Sequence, residues 1–185
     1  MALLTNSPRL AARCLIDGGV LAYPTEAVFG LGCLPRHAPS ISRLRHIKQR
    51  PDEQGLILVA DHIDRLQPYL QKLTPRQRSL IQAKRQRAIT WLVPSADDCP
   101  HSLRGQHKSL AVRLISHPQV AELCRLTGSA LISTSANRRG QAPARSASQV
   151  MMTLGGNIDC ILAGPTGNAR TVSEIRDIDT GTIYR

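Results

Sequence analysis

The chain has 185 residues, 42% of them hydrophobic and 20% charged, a globular balance that excludes wholesale disorder. No apolar run approaches the roughly 18–20 residues of a membrane span, and the length fits one compact domain over residues 1–185. Twenty-four Lys and Arg against thirteen Asp and Glu leave a net charge of +11, a field that favours polyanions such as nucleotide phosphates or RNA.

Met1 to Pro8 has no basic start followed by an apolar stretch, so no secretory signal is read and the expected compartment is the cytoplasm. The five cysteines are odd in number, and the closest two, Cys14 and Cys33, are 19 positions apart. They suggest neither a disulfide framework nor a metal knuckle and read as small apolar residues. Between positions 65 and 96 Arg65, Lys72, Arg76, Arg78, Lys84, Arg85 and Arg87 meet no acidic residue, the pattern of a solvated basic face. Aromatics make up only 3%, too few stacking platforms for a reader of single-stranded bases.

In chain order, Ser7-Pro8 opens a helix with Leu10/Cys14 and Ala11/Leu15 at i,i+4 spacing, and Gly18-Gly19 stops it. Val20 to Tyr23 reads as a strand ended by Pro24, and Ile41, Leu44 and Ile47 as the buried stripe of a second helix. Gly55 to Ala60 is a continuous apolar strand. Asp61 then opens a helix carrying Leu66 and Leu70, and Thr74-Pro75 opens a basic one. Ala88 to Val93 and Ser109 to Leu114 read as strands. Ser116-His117-Pro118 leads into a helix with Val120, Leu123 and Cys124 that ends at Gly128. Ala130 to Ser133 is a strand, Ser146 to Leu154 a helix stopped by Gly155-Gly156, and Ile158 to Ala163 a strand. The pattern predicts an α/β fold with a twisted mixed sheet flanked by helices and a basic concave ligand cleft at strand ends.

The standard nucleotide fingerprints fail: there is no GxxxxGK[ST], and Gly30-Leu31-Gly32 does not continue into a dinucleotide motif. The six histidines show no HxxxH or HxH spacing, no GxSxG elbow exists, and no protein-held metal is expected. Three polar segments remain just after apolar ones: Tyr23-Pro24-Thr25-Glu26, Lys48-Gln49-Arg50-Pro51 and Ser133-Thr134-Ser135-Ala136-Asn137. Singly they read as a turn, a cationic helix end and an Asn/Ser-rich loop. Together they supply two fixed cations, hydroxyls and an amide, with no general-base triad, an inventory suited to positioning and electrostatic stabilisation of a nucleotide's reacting phosphate.

These segments, with Ala27 to Gly32, Gly55 to Leu58, Leu110 to Arg113 and Ser173 to Asp177, resemble the YrdC/TsaC family of threonylcarbamoyl-adenylate synthases over nearly the whole chain, in its short form without an appended domain. The resemblance implies an enzyme that joins L-threonine, bicarbonate and ATP into L-threonylcarbamoyl-adenylate and releases pyrophosphate, with Mg²⁺ arriving on ATP. The product would pass to a transferase complex that modifies tRNA beside the anticodon. Lys48 and Arg50 would be catalytic and bind ATP together with Ser109, Ser135, Asn137 and Ser173, while Thr25 and Arg113 would hold threonine. Ser109 and Arg113, four apart, share one strand face.

Relatives in that family usually carry Trp-Pro-Gly-Pro-x-Thr where this chain has Arg85-Gln86-Arg87-Ala88-Ile89-Thr90, and small apolar residues where it has Arg138-Arg139. Replacing a rigid turn by arginines is expected to add charge to the pocket wall. It also raises an alternative, a non-catalytic RNA-binding protein on the same fold.

Overall fold

The structure, a computed structural model, describes all residues except Gln86, Arg170, Val172 and Arg185. The chain runs through β1 (Leu3–Thr5), α1 (Pro8–Ile16), β2 (Leu21–Pro24), β3 (Phe29–Gly32), α2 (Ala38–Lys48), β4 (Ile57–Ala60), α3 (Pro75–Gln82) and β5 (Ile89–Pro94). It continues through α4 (His101–Arg104), β6 (Ser109–Leu114), α5 (Pro118–Thr127), β7 (Leu131–Ser135), α6 (Ala147–Leu154), β8 (Cys160–Leu162) and β9 (Glu174–Asp177). The strands form one sheet in the order β1-β8-β2-β3-β7-β4-β6-β5-β9. The sheet is mixed, as the sequence predicts: β1/β8, β2/β8, β4/β6 and β5/β9 are parallel, and β2/β3, β3/β7, β4/β7 and β5/β6 antiparallel.

The start signals act as caps. The Ser7 hydroxyl accepts from the Leu10 N–H, Thr74 and Gln77 form a reciprocal capping box, and Ser146 accepts from the Gln149 N–H, satisfying amide donors that have no partner within the helix. One prediction is corrected. The stretch after Asp61 forms two short 3₁₀ turns, Ile63–Arg65 and Gln67–Tyr69, in place of a helix. Pro68 lies inside it, removing an amide donor and crowding the preceding turn, so an α-helix cannot propagate. Four elements escape the sequence reading. β1 is only three residues long and α4 only four. β9 is a mostly polar Glu-Ile-Arg-Asp. β3 reads Phe-Gly-Leu-Gly, with glycines along one face and no side chains there to show alternation.

Period-two alternation divides the sheet into two faces. Ala22, Phe29, Leu31, Leu58, Leu110, Val112, Ile132 and Ile161 point into the larger core, with Ile41 and Leu44 of α2, Leu103 of α4 and Val150 of α6. The opposite face carries Leu21, Tyr23, Val59, Leu131, Cys160 and Leu162, packed against α1 and α5. These two helices cover only the half of that face near β8 and β2, with α5 reaching as far as β4. The two halves of the sheet meet where β3 passes β7. A Cβ added at Gly32 would fall onto the carbonyl oxygen of Ile132, and the Tyr23 hydroxyl donates to that same oxygen at 3.1 Å. Gly32→Ala is expected to lower stability by about 3 kcal/mol, the upper end of overpacking costs. Gly156→Ala, where an added Cβ meets nothing within 4 Å, should shift it by less than about 0.5 kcal/mol. Urea midpoints of the two variants check this.

Candidate active site

A cleft of about 590 Å³ opens on the sheet face that α1 and α5 leave uncovered, a size suited to a nucleotide-scale ligand. Its floor is the outward-facing row of β6, Ser109, Ala111 and Arg113, flanked by Ile57 of β4 and Thr90 of β5. The alternate residues Leu110 and Val112 are fully buried below. The predicted shared face of Ser109 and Arg113 is therefore observed. Small and polar residues occupy positions where a helix-covered strand would carry apolar ones.

One wall is the end of α2. Lys48 is its last residue, and its Nζ donates to the Ser135 carbonyl at 2.7 Å, the Asn137 carbonyl at 2.6 Å and Asn137 Oδ1 at 2.8 Å. All three ammonium protons therefore bind the exit of β7. Burial, and secondarily the neighbouring positive Arg50, pulls this lysine down from its ordinary value to about 8. Gln49 follows in the left-handed region (φ 48°), the sole non-glycine residue with positive φ among those described. That turn brings Arg50 to the cleft, where its guanidinium donates to the Gly55 carbonyl. Behind it the buried Arg45 donates to the carbonyls of Pro51 (2.7 Å), Gln54 (3.0 Å) and Ser102 (2.7 Å), fixing the loop that carries Arg50.

The opposite wall is Thr25 to Gly30. Thr25 is buried and its hydroxyl donates to the Val28 carbonyl at 2.7 Å. The segment before β9 straps across it: Gly167 N–H donates to the Thr25 carbonyl and Ala169 N–H to the Glu26 carbonyl, each at 2.9 Å. A Cβ at Gly167 would press on the Glu26 backbone, so this close approach needs glycine. His117 and Gln119 of the α5 start pin the strap from below, contacting the carbonyls of Pro165 (3.1 Å) and Ala163 (2.9 Å). Glu26 accepts the Ser116 N–H at 2.9 Å through Oε1, and its Oε2 stands 3.6 Å from Arg113 Nη2.

Lys48, Arg50, Thr25, Ser109, Arg113, Ser135 and Ser173 all line the cleft. Ser173 is buried with its hydroxyl 2.8 Å from that of Thr90. Asn137 stands behind the wall: Oδ1 accepts from Lys48 and from the Ser135 hydroxyl (2.5 Å), and Nδ2 donates to the carbonyls of Arg138 and Gln141. Among the described residues, neither Arg85 nor Arg87, anticipated on the wall, lines the cleft. Arg85 stacks on Trp91, 5.7 Å from the ring centroid, and Arg87 pairs with Glu174. Glu174 is held below the ordinary carboxylate range by Arg176 first and Arg87 next. Gln86 lies outside the described residues. Of the other arginine pair, Arg138 is tied to Thr153 and Asn157 while Arg139 lines the cleft. Among the described residues no three His, Cys, Asp or Glu cluster as metal ligands, and no helix is long and apolar enough to cross a membrane.

The family profile described as "Telomere recombination", that of the Sua5, YciO and YrdC proteins, matches residues 13–185. This chain belongs to that family. It is similar, at 48% identity over 96% of both chains, to the threonylcarbamoyl-AMP synthase of Nitrosococcus oceani. Identity to the Haemophilus influenzae (strain PittEE) protein of the same name is 46%, over 94% of this chain and 96% of the relative. Among solved structures, P. abyssi Sua5 complexed with L-threonine superposes with a TM-score of 0.86 at 24% identity, over 96% of this chain and 54% of that one. E. coli YciO gives 0.79 at 21% identity, over 100% and 95%. Both share the fold.

In this Sua5/YciO/YrdC chain, Arg45, Glu26 and Arg139 are site residues that sequence reasoning left without a role. Arg45 had a signal: Ile41, Leu44, Arg45 and Lys48 follow i, i+3, i+4, i+7 on the inward face of α2. The thiols of Cys33 and Cys124 are pushed by burial up to about 12, consistent with packing residues. Lys48 must be protonated to attract phosphate, so MgATP affinity is expected to stay level up to about pH 8. Above that it should fall toward about tenfold per unit. Lys48→Arg, whose guanidinium keeps its charge, should flatten the profile. Calorimetric titrations from about pH 7 to 9.5 measure both.

Proposed function

We propose that this chain is an L-threonylcarbamoyl-AMP synthase, using L-threonine, bicarbonate and MgATP and releasing pyrophosphate. Relatives 48% and 46% identical over nearly their whole length carry that name. The observation that carries the reading is the cleft itself, in which Lys48 and Arg50 on one wall face Arg113 on the floor. The threonine amine adds to carbon dioxide derived from bicarbonate and loses a proton to give a carbamate. A carbamate oxygen then attacks the α-phosphorus of ATP, and the bond to the β-phosphate oxygen breaks to release pyrophosphate.

Both steps bring anions together, and the chain's contribution is to hold them and offset their charge. We assign Lys48 and Arg50 to the phosphates, with Ser109, Ser135 and Ser173 as hydroxyl partners and Asn137 as the group that presents Ser135 and Lys48. Arg113 takes the threonine carboxylate, its planar fork matching two oxygens, and Thr25 borders the threonine seat. Magnesium enters on the triphosphate, held mainly by phosphate oxygens and water. The product is a mixed anhydride that a tRNA-modifying transferase would consume in the cytoplasm. The P. abyssi structure with L-threonine favours this reading over a non-catalytic RNA-binding role.

Purified protein is expected to release pyrophosphate from ATP only when both L-threonine and bicarbonate are present. Lys48→Ala should cut the rate at least about a hundredfold with an unchanged circular-dichroism spectrum. Arg113→Lys should chiefly raise the KM for threonine, since a single ammonium replaces a bidentate fork. Pyrophosphate release that ignores threonine would overturn the assignment.

A further inference from the structure

Asn137 ties together two parts of the cleft wall. Its Oδ1 accepts from Lys48 Nζ at 2.8 Å, and its Nδ2 donates to the carbonyls of Arg138 at 2.9 Å and Gln141 at 2.7 Å. Those two residues are the ends of a tight turn, closed by the Gln141 N–H on the Arg138 carbonyl at 3.1 Å, with Gly140 in its third position at φ 79°. A positive φ at that position is what a type II turn requires, and glycine supplies it. Arg138 is also held from outside, its guanidinium donating to the Thr153 carbonyl and to Asn157 Oδ1. The backbone at Arg139 is therefore fixed from both sides.

Its side chain is not. Arg139 is exposed and lines the cleft, and among the described residues its guanidinium makes no hydrogen bond or ion pair. The other cations of the cleft are engaged: Lys48 gives its three protons to the exit of β7, Arg50 donates to the Gly55 carbonyl, and Arg113 stands 3.6 Å from Glu26. A guanidinium on a placed backbone, with its donors left over by the chain, suits an oxyanion that arrives and departs.

Sheet register indicates which oxyanion. Val59 of β4 pairs with Arg113 of β6 on one side and with Leu131 of β7 on the other. From Leu131 the strand runs on to Ser135, about 13 Å at the usual rise of about 3.3 Å per residue, before the chain reaches the Arg139 turn. The two arginines thus stand toward opposite ends of the cleft. With the threonine carboxylate on Arg113, the carbamate approaches from that end. Displacement at the α-phosphorus runs in line: the bond from the carbamate oxygen forms as the bond to the bridging oxygen breaks, and the electron pair leaves on pyrophosphate at the far side.

We propose, resting on the synthase reading above, that Arg139 binds the β- and γ-phosphates of ATP and offsets the charge that gathers on the departing pyrophosphate, without taking part in the hold on AMP. An exposed guanidinium fits this end of the nucleotide, because pyrophosphate has to leave while the adenylate stays.

Calorimetric titration of the intact protein with MgATP and with AMP tests this on wild type, Arg139→Ser and Arg138→Ser. The second variant removes the same charge next door from a side chain that does not line the cleft. Arg139→Ser is expected to bind MgATP about tenfold more weakly and AMP within about twofold of wild type, while Arg138→Ser changes neither by more than about twofold. In turnover, Arg139→Ser should raise the KM for ATP and leave that for threonine unchanged. Equal weakening toward MgATP and AMP would place Arg139 elsewhere on the nucleotide and overturn the proposal. Equal weakening of MgATP by the two variants would reduce Arg139 to a contribution to net charge, again overturning it. Unchanged MgATP binding in Arg139→Ser, with threonine-dependent pyrophosphate release intact, would refute the contact and leave the synthase reading standing. The expected binding pattern with release that ignores threonine would do the reverse, and a wild type that binds no nucleotide would remove both.

Discussion

The cleft depends on one half-buried ammonium. Lys48 ends α2, packed on the larger core, and its three protons hold oxygens at the exit of β7, the strand that joins the two halves of the sheet. An ammonium in that position is costly to desolvate, and the three oxygens offset the cost by replacing its water. Burial first, and the positive Arg50 beside it, still leave the proton weakly held and pull the group down to about 8. An anion at this wall would meet a cation whose protons the chain already engages. The loop from Ser135 to Gln141 is organised around the Asn137 amide, which also takes one of the Lys48 protons.

The other cations are fixed by different means. Arg50 reaches the cleft through the left-handed turn at Gln49, an uncommon conformation for a side chain with a Cβ and the kind of local strain that concentrates at working sites. The loop beyond is secured by Arg45, whose guanidinium takes the carbonyls of Pro51, Gln54 and Ser102. Arg113 is presented by the rigid alternation of β6. Three cations therefore stand on a helix end, a tight turn and a strand, all packed onto the same sheet, which is the preorganisation that electrostatic catalysis needs.

The sequence was most legible where a physical rule is local. Ser7, Thr74 and Ser146 announce helix starts because their hydroxyls serve the nearest amides, and β4 and β6 announce themselves by apolar runs or alternation. Asn137 was legible as a polar residue near the site but not as the organiser of a loop, since that role depends on Lys48, 89 positions away. Arg45 shares the inward stripe of α2 with Ile41 and Leu44, but the three carbonyls it binds come together only in the assembled fold. β3 was hidden by its own glycines, of which Gly32 is required by the close passage past Ile132 and Gly30 by the Tyr23 ring. The 3₁₀ turns after Asp61 were obscured differently: apolar spacing favoured a helix, and Pro68 overrode it.

Net charge illustrates the gap between composition and site. A surplus of +11 suggests a basic pocket, and the arginines at 85 and 87 were expected on its wall. Arg85 instead stacks on Trp91, and Arg87 pairs with Glu174 beside Arg176. Neither arginine lines the cleft, and salt screens their field over about a Debye length of 8–10 Å. The cleft is basic because Lys48, Arg50, Arg113 and Arg139 line it, with Glu26 as the acidic residue among those described. Had the surplus itself been the attracting feature, a scattered polyanion would suit the surface. Cations converging on a space of about 590 Å³ instead suit a compact set of anions.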